Sequence, residues 1–137
     1  MLRATFVSCV VGSLAGCLAV PAIEPTIPAL SGQVSRSGIP VAGAYILVSK
    51  RFEVVACQNT RTVAVTDSSG NFFFAGEKTL QLAVLGGDPV PHWEVCIEYD
   101  GRIWPGFRPF GFGLQEKMQL QCDIDKTNAT EWKGICG

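Results

Sequence analysis

Residues 66–74 run Thr66-Asp67-Ser68-Ser69-Gly70-Asn71-Phe72-Phe73-Phe74, a polar turn with one glycine followed at once by three aromatic residues. An aspartate at the start of a turn accepts backbone N–H groups from the residues just after it. A glycine near the end takes the left-handed backbone conformation without steric cost. Successive side chains of a strand point to opposite faces, so Phe72 and Phe74 belong to one face and Phe73 to the other. Upstream lies Gly38-Ile39-Pro40-Val41-Ala42-Gly43-Ala44-Tyr45-Ile46-Leu47-Val48. Here Gly43 lets the chain bend into a strand whose alternate residues Ala44, Ile46 and Val48 face a core.

The same pattern of short strand-forming runs and turn signals continues outward in both directions. Strands are predicted near 31–36, 42–50, 61–66, 71–75, 79–85, 93–99, 102–104 and 117–123. They are divided by Ser37-Gly38, Asp67-Ser68-Ser69-Gly70-Asn71, Gly86-Gly87-Asp88-Pro89 and Asp100-Gly101. Turns about every ten residues are the mark of a sandwich or barrel. Asp100-Gly101 is the clearest hairpin, since Asp-Gly takes the positive φ angles that a two-residue turn requires. No segment beyond the amino terminus shows a 3.6-residue apolar period, so the fold class is all-β.

Ser31-Gly32-Gln33-Val34 followed by Gly38–Val48 resembles the opening of carboxypeptidase regulatory-like domains, and Thr66–Phe74 resembles their second hallmark, T-D-x-x-G-x-F-x-F. The resemblance covers residues 31–75; beyond Ala75 only general strand character continues. It implies a transthyretin-like sandwich of seven or eight antiparallel strands over residues 30–137. Such domains have no catalytic residues of their own. In carboxypeptidases they accompany a zinc enzyme domain, and in bacteria they occur as extracellular modules.

The amino terminus has a different character. Residues 4–16 carry no charge and follow Arg3, a stretch shorter than the roughly 20 apolar residues that span a bilayer as a helix. A positive start, a short apolar run and small residues at its end describe a secretory signal. Leu14-Ala15-Gly16-Cys17 resembles the lipobox of bacterial lipoproteins, in which the signal is cut before a diacylated cysteine. The resemblance implies a signal peptide over 1–16 and lipidation of Cys17. Two or three acyl chains, at about 0.8 kcal/mol per buried methylene, make a durable anchor. Leu18 rather than Asp after that cysteine points to the periplasmic side of the outer membrane, with the inner membrane as the lesser alternative. Pro21, Pro25 and Pro28 come next. Prolines at that spacing disfavour helices and sheet ladders, so residues 17–29 read as a lipidated cysteine and an extended tether.

Composition excludes several function classes. The 137 residues are 17% charged with net charge −1, below the usual quarter. That combination argues against charge-driven disorder and gives no basic footprint for nucleic acid. The positive mean hydropathy belongs partly to the amino-terminal signal and partly to a β core. Cys9 would leave with the signal, so four cysteines, Cys57, Cys96, Cys122 and Cys136, would remain in an oxidising compartment that favours disulfides. Three connectivities are open to them, as are free buried thiols. Cys57–Cys96 with Cys122–Cys136 is favoured, because the second bond would close a short loop and pin a polar tail.

Candidate sites are few. His92 is the only histidine, too little for a zinc site or a Ser-His-Asp triad, and reads as a surface residue leading into a strand. Glu94 and Glu98 share one strand face, which reads as solvated. Asn128-Ala129-Thr130 matches a glycosylation sequon without consequence in a bacterial chain. Between Ile103 and Gly113 the density of Pro and Gly predicts a long loop carrying Trp104, Phe107, Arg108, Phe110 and Phe112. Aromatics and Arg are enriched at binding hot spots, and covering the core edge is the competing role for these aromatics. The resulting expectation is a non-enzymatic, membrane-anchored lipoprotein that needs no cofactor or metal and binds a protein or polymer of the cell envelope. Narrower alternatives are a type VI secretion lipoprotein of transthyretin-like fold, or an immunity protein against a periplasmic toxin.

Overall fold

The computed structural model describes residues 19–50, 55–84, 92–110, 115–126 and 134–137, and these contain ten strands and no helix. In chain order they are β1 (Ala19–Ile27), β2 (Ala29–Arg36), β3 (Ile39–Pro40), β4 (Tyr45–Ser49) and β5 (Arg61–Val65). The second half holds β6 (Asn71–Phe74), β7 (Glu77–Val84), β8 (Glu94–Tyr99), β9 (Arg102–Phe107) and β10 (Lys117–Asp123). The expected signal peptide 1–16, Cys17, the turn Gly86-Gly87-Asp88-Pro89, Phe112 and the sequon Asn128–Thr130 lie outside the described residues.

The strands form three sheets. One is ordered β5-β4-β8-β9; a second is β10-β2-β3, with β6 also paired to β2; β1 and β7 make a two-stranded ribbon. All pairings are antiparallel except β10 with β2, which run parallel with Lys117 opposite Ala29. A wholly antiparallel arrangement of seven or eight strands is therefore corrected on both counts: the described residues form ten strands, and one pairing is parallel.

Both four-stranded sheets feed the same core. Leu30 and Val34 of β2, Phe72 of β6 and Leu120 of β10 pack in one cluster with Ile46 and Val48 of β4 and Val95 and Ile97 of β8. Burying side chains of this size contributes about 1.5–3 kcal/mol each. Alternation holds as the sequence pattern requires: Ala44, Ile46 and Val48 are buried in the cluster, Tyr45 is exposed, Phe72 is buried and Phe73 exposed.

Thr66 ties the segments 38–48 and 66–74 together. Its hydroxyl donates to the Val41 carbonyl at 2.7 Å and accepts from the Ala44 N–H at 2.8 Å. The Gly43 N–H reaches the Thr66 carbonyl at 3.0 Å. In the turn, the Asp67 carboxylate accepts from the N–H groups of Ser69 and Asn71 at 2.8 and 2.9 Å. Gly70 has φ of 74°, and a Cβ there would lie 2.5 Å from the Val34 carbonyl oxygen. Asp100 and Gly101, with φ of 52° and 71°, turn β8 into β9.

The proline-rich segment is extended but paired. β1 runs antiparallel to β7, with Ile23 opposite Leu80, which corrects the expectation that its prolines exclude a sheet ladder. Pro21 and Pro25 are an even number of residues apart, so their missing donors fall on the same edge. A two-stranded ribbon leaves one edge of each strand unpaired, where proline is tolerated.

Candidate binding surface at the end of β9

The stretch read as one long loop is a strand in its first half. β9 runs through Pro105 and Gly106 to Phe107, and its register against β8 shifts by one residue: Cys96 faces Pro105 while Val95 faces Phe107. Gly106 is the extra residue, a β-bulge. Trp104 and Phe107, three apart, would point to opposite faces of a regular strand. The bulge returns both to the inner face, where each packs partly buried against the core cluster. The Phe107 and Trp93 rings lie 5.9 Å apart, within aromatic contact range. Trp104 and Phe107 thus cover the core edge while staying partly accessible.

Gly106 also admits the carboxyl-terminal tail. The N–H groups of Ile135 and Cys136 donate to the carbonyls of Pro105 and Gly106, both at 2.9 Å. On its other side the tail meets β10, where the Gln121 and Gly137 N–H groups donate to each other's carbonyls at 3.0 Å. Residues 134–137 thereby bridge the edge strands of the two large sheets. The Cys122–Cys136 disulfide joins them across this seam, with Cα atoms 4.0 Å apart. A Cβ at Gly134 would collide with the Gly106 carbonyl oxygen, so the approach requires glycine.

Arg108, the first residue beyond β9, sends its side chain to Glu94 on the outer face of β8. Glu94 is only 1% exposed, which corrects the expectation of a solvated face for Glu94 and Glu98; Glu98 is half-buried. The Glu94 Oε2 accepts from the Arg108 Nε at 2.7 Å, and the Arg108 side chain is itself 7% exposed. The other oxygen, Oε1, accepts from the Cys57 backbone N–H at 3.0 Å. Cys57 is bonded to Cys96, the next outward residue of β8, with Cα atoms 5.9 Å apart. The segment carrying Cys57 is thus held over the outer face by a covalent bond and a charge-assisted hydrogen bond. Leu47 and Cys96, opposite each other on that face, are buried away from the main core.

Both disulfides have the pairing favoured in the sequence. Among the described aromatics of the expected loop, Phe110 is the one presented to solvent, at 87% exposure, two residues beyond the buried Arg108. His92 is exposed. Sequence reasoning missed the Glu94–Arg108 pair. Its one sequence signal was a glutamate directly before a Val-Cys-Ile run, where an outward position reads as ordinary polar alternation. Among the described residues no three of His, Cys, Asp and Glu are grouped to hold a metal ion, and no helix is long and apolar enough to cross a membrane. No family model, curated protein or solved structure matches the chain.

Proposed function

We propose that this chain is a non-enzymatic, lipid-anchored periplasmic protein. Its transthyretin-like β-sandwich carries a binding surface for a protein or polymer of the cell envelope. The anchor rests on Leu14-Ala15-Gly16-Cys17, and the outer membrane is its expected location because Leu18 comes directly after the lipidated cysteine. Two cross-linked cysteine pairs suit an oxidising compartment. The sandwich assignment is supported by the shared core of the two four-stranded sheets and by the joined hallmark turns. The chemistry implied is recognition rather than catalysis, with no cofactor and no role for nucleic acid.

One observation carries the binding role: Phe110 stands in solvent two residues beyond an arginine whose side chain is buried against Glu94. An exposed aromatic on an ordered base loses little conformational freedom when a partner covers it. Trp104 and Phe107 pack partly buried against the core, so Phe110→Ala is the substitution that tests recognition without removing that packing. Envelope extracts passed over the wild-type protein and the Phe110→Ala variant in parallel should yield a partner that the variant no longer retains. Identical capture by both would refute this surface. Replacing Cys17 with Ser tests the anchor separately, and should move the protein from the membrane fraction to the soluble periplasm.

A further inference from the structure

The β1–β7 ribbon has a two-sided chemistry that the binding surface does not use. Directly opposed residues of an antiparallel pair share a face, so Pro21, Ile23 and Pro25 of β1 lie on the same side as Leu80 and Lys78 of β7. Ile23 and Leu80, opposite one another, are 72% and 68% exposed. The reverse face carries Glu24 opposite Thr79, and the Thr26 hydroxyl donates to that of Thr79 at 2.8 Å. One face is apolar with a lysine at its flank, and the other carries these polar groups beside the small Ala22.

The ribbon is a continuation of the main fold. Leu30 faces Phe74 in the β2–β6 ladder, and the same two chain segments continue as Ile27 opposite Glu77. Gly76, at φ of 82°, allows the two segments to stay close through the junction; a Cβ there would meet the Ala29 nitrogen at 2.7 Å. Ile27 is fully buried in the core, so the root of the ribbon is fixed.

The position of the free end decides what covers the apolar face. Ala19 begins β1, and only Leu18 separates it from Cys17. Two residues of extended chain reach at most about 7 Å. If Cys17 carries the acyl chains, the tip of the ribbon stands at the headgroup layer, whereas nine strand residues span about 30 Å. We infer that the β1–β7 ribbon lies along the membrane surface, with Ile23 and Leu80 in the headgroup–acyl boundary and Lys78 toward anionic headgroups. An apolar face flanked by a cation is the arrangement that favours such an interface. This inference rests on the lipoprotein reading, and it turns the anchor from a loose tether into an orienting contact.

The test uses the lipidated full-length product in phosphatidylglycerol-containing vesicles whose acyl chains carry bromine, a quencher of tryptophan emission. Ile23→Trp and Thr79→Trp place a probe at similar distances from the anchor on opposite faces of the ribbon. After subtraction of the wild-type signal, quenching at position 23 should exceed that at position 79 at least twofold. Equal quenching at the two positions overturns the inference. So does a dimer in sedimentation that is abolished by Leu80→Glu, because the face would then close on a second copy. Flotation read on the same samples separates the two levels: if Cys17→Ser floats with vesicles as the wild type does, it is the lipoprotein reading that has failed.

Discussion

Glu94 and Glu98 sit on the same strand and point to the same side, yet one is sealed from water and the other is half-exposed. The difference lies in what returns over the sheet. At Glu94 the chain comes back twice, once through Cys57 and once through Arg108, and each return brings a hydrogen-bond donor to one carboxylate oxygen. At Glu98 the cross-strand neighbours are Tyr45 and Ile103, both exposed, and no second layer forms among the described residues. A carboxylate without partners could not stay in the covered half, because the desolvation penalty of an unpaired charge is several kcal/mol. The outer face of one sheet is thus divided into a clamped half and an open half by a single polar cluster.

That contrast can be broken in order of expected effect. Removing the buried charge should cost most: Glu94→Ala takes away the carboxylate that pairs with the buried Arg108 side chain and should lower stability by about 3–5 kcal/mol. The half-exposed Glu98→Ala should stay within about 0.5–1 kcal/mol. Urea unfolding of the two variants side by side measures the gap, and similar losses would show that the cover is not what distinguishes them. The clamp's covalent part comes next. Opening Cys57–Cys96, which closes a separation of 39 residues, should cost about 4 kcal/mol, against about 3 kcal/mol for Cys122–Cys136 at a separation of 14, on the chain-entropy scale. The paired Cys→Ala variants, compared by thermal unfolding, check that order. Smaller again is the hallmark turn, far from both halves. Asp67→Ala removes two acceptor bonds to backbone N–H groups and should cost about 1–2 kcal/mol, the range for losing a capping side chain. A drop in melting temperature with the Phe110 surface unchanged would confirm that this turn serves folding alone.

How far the chain could be read in advance depends on the range of the forces involved. The hallmark turn was legible because every contact that shapes it lies within a few residues: Asp67 bonds to Ser69 and Asn71, and Gly70 takes the positive φ that its position demands. The faces of β4 and β6 were legible for the same reason, since alternation is a property of the strand itself. Pro105-Gly106 misled because local density of such residues signals a loop. Here they form a bulge whose shape serves a tail about 30 residues further along the chain, docked on their carbonyls. The prolines of β1 misled likewise, since whether a proline breaks a ladder depends on which edge lacks its donor.

By itself, then, the order of residues determined the all-β class, the turns at Asp67–Gly70 and Asp100–Gly101, and the inward set Ala44, Ile46, Val48 and Phe72. Each of these rests on backbone preference and side-chain alternation, which act over a few residues. Only the tertiary structure decided that Glu94 is buried, that Trp104 and Phe107 face the core, that β10 lies parallel to β2, and that Phe110 is left in solvent. Those outcomes depend on which distant segment covers a surface, and burial is a property of the cover rather than of the residue beneath it.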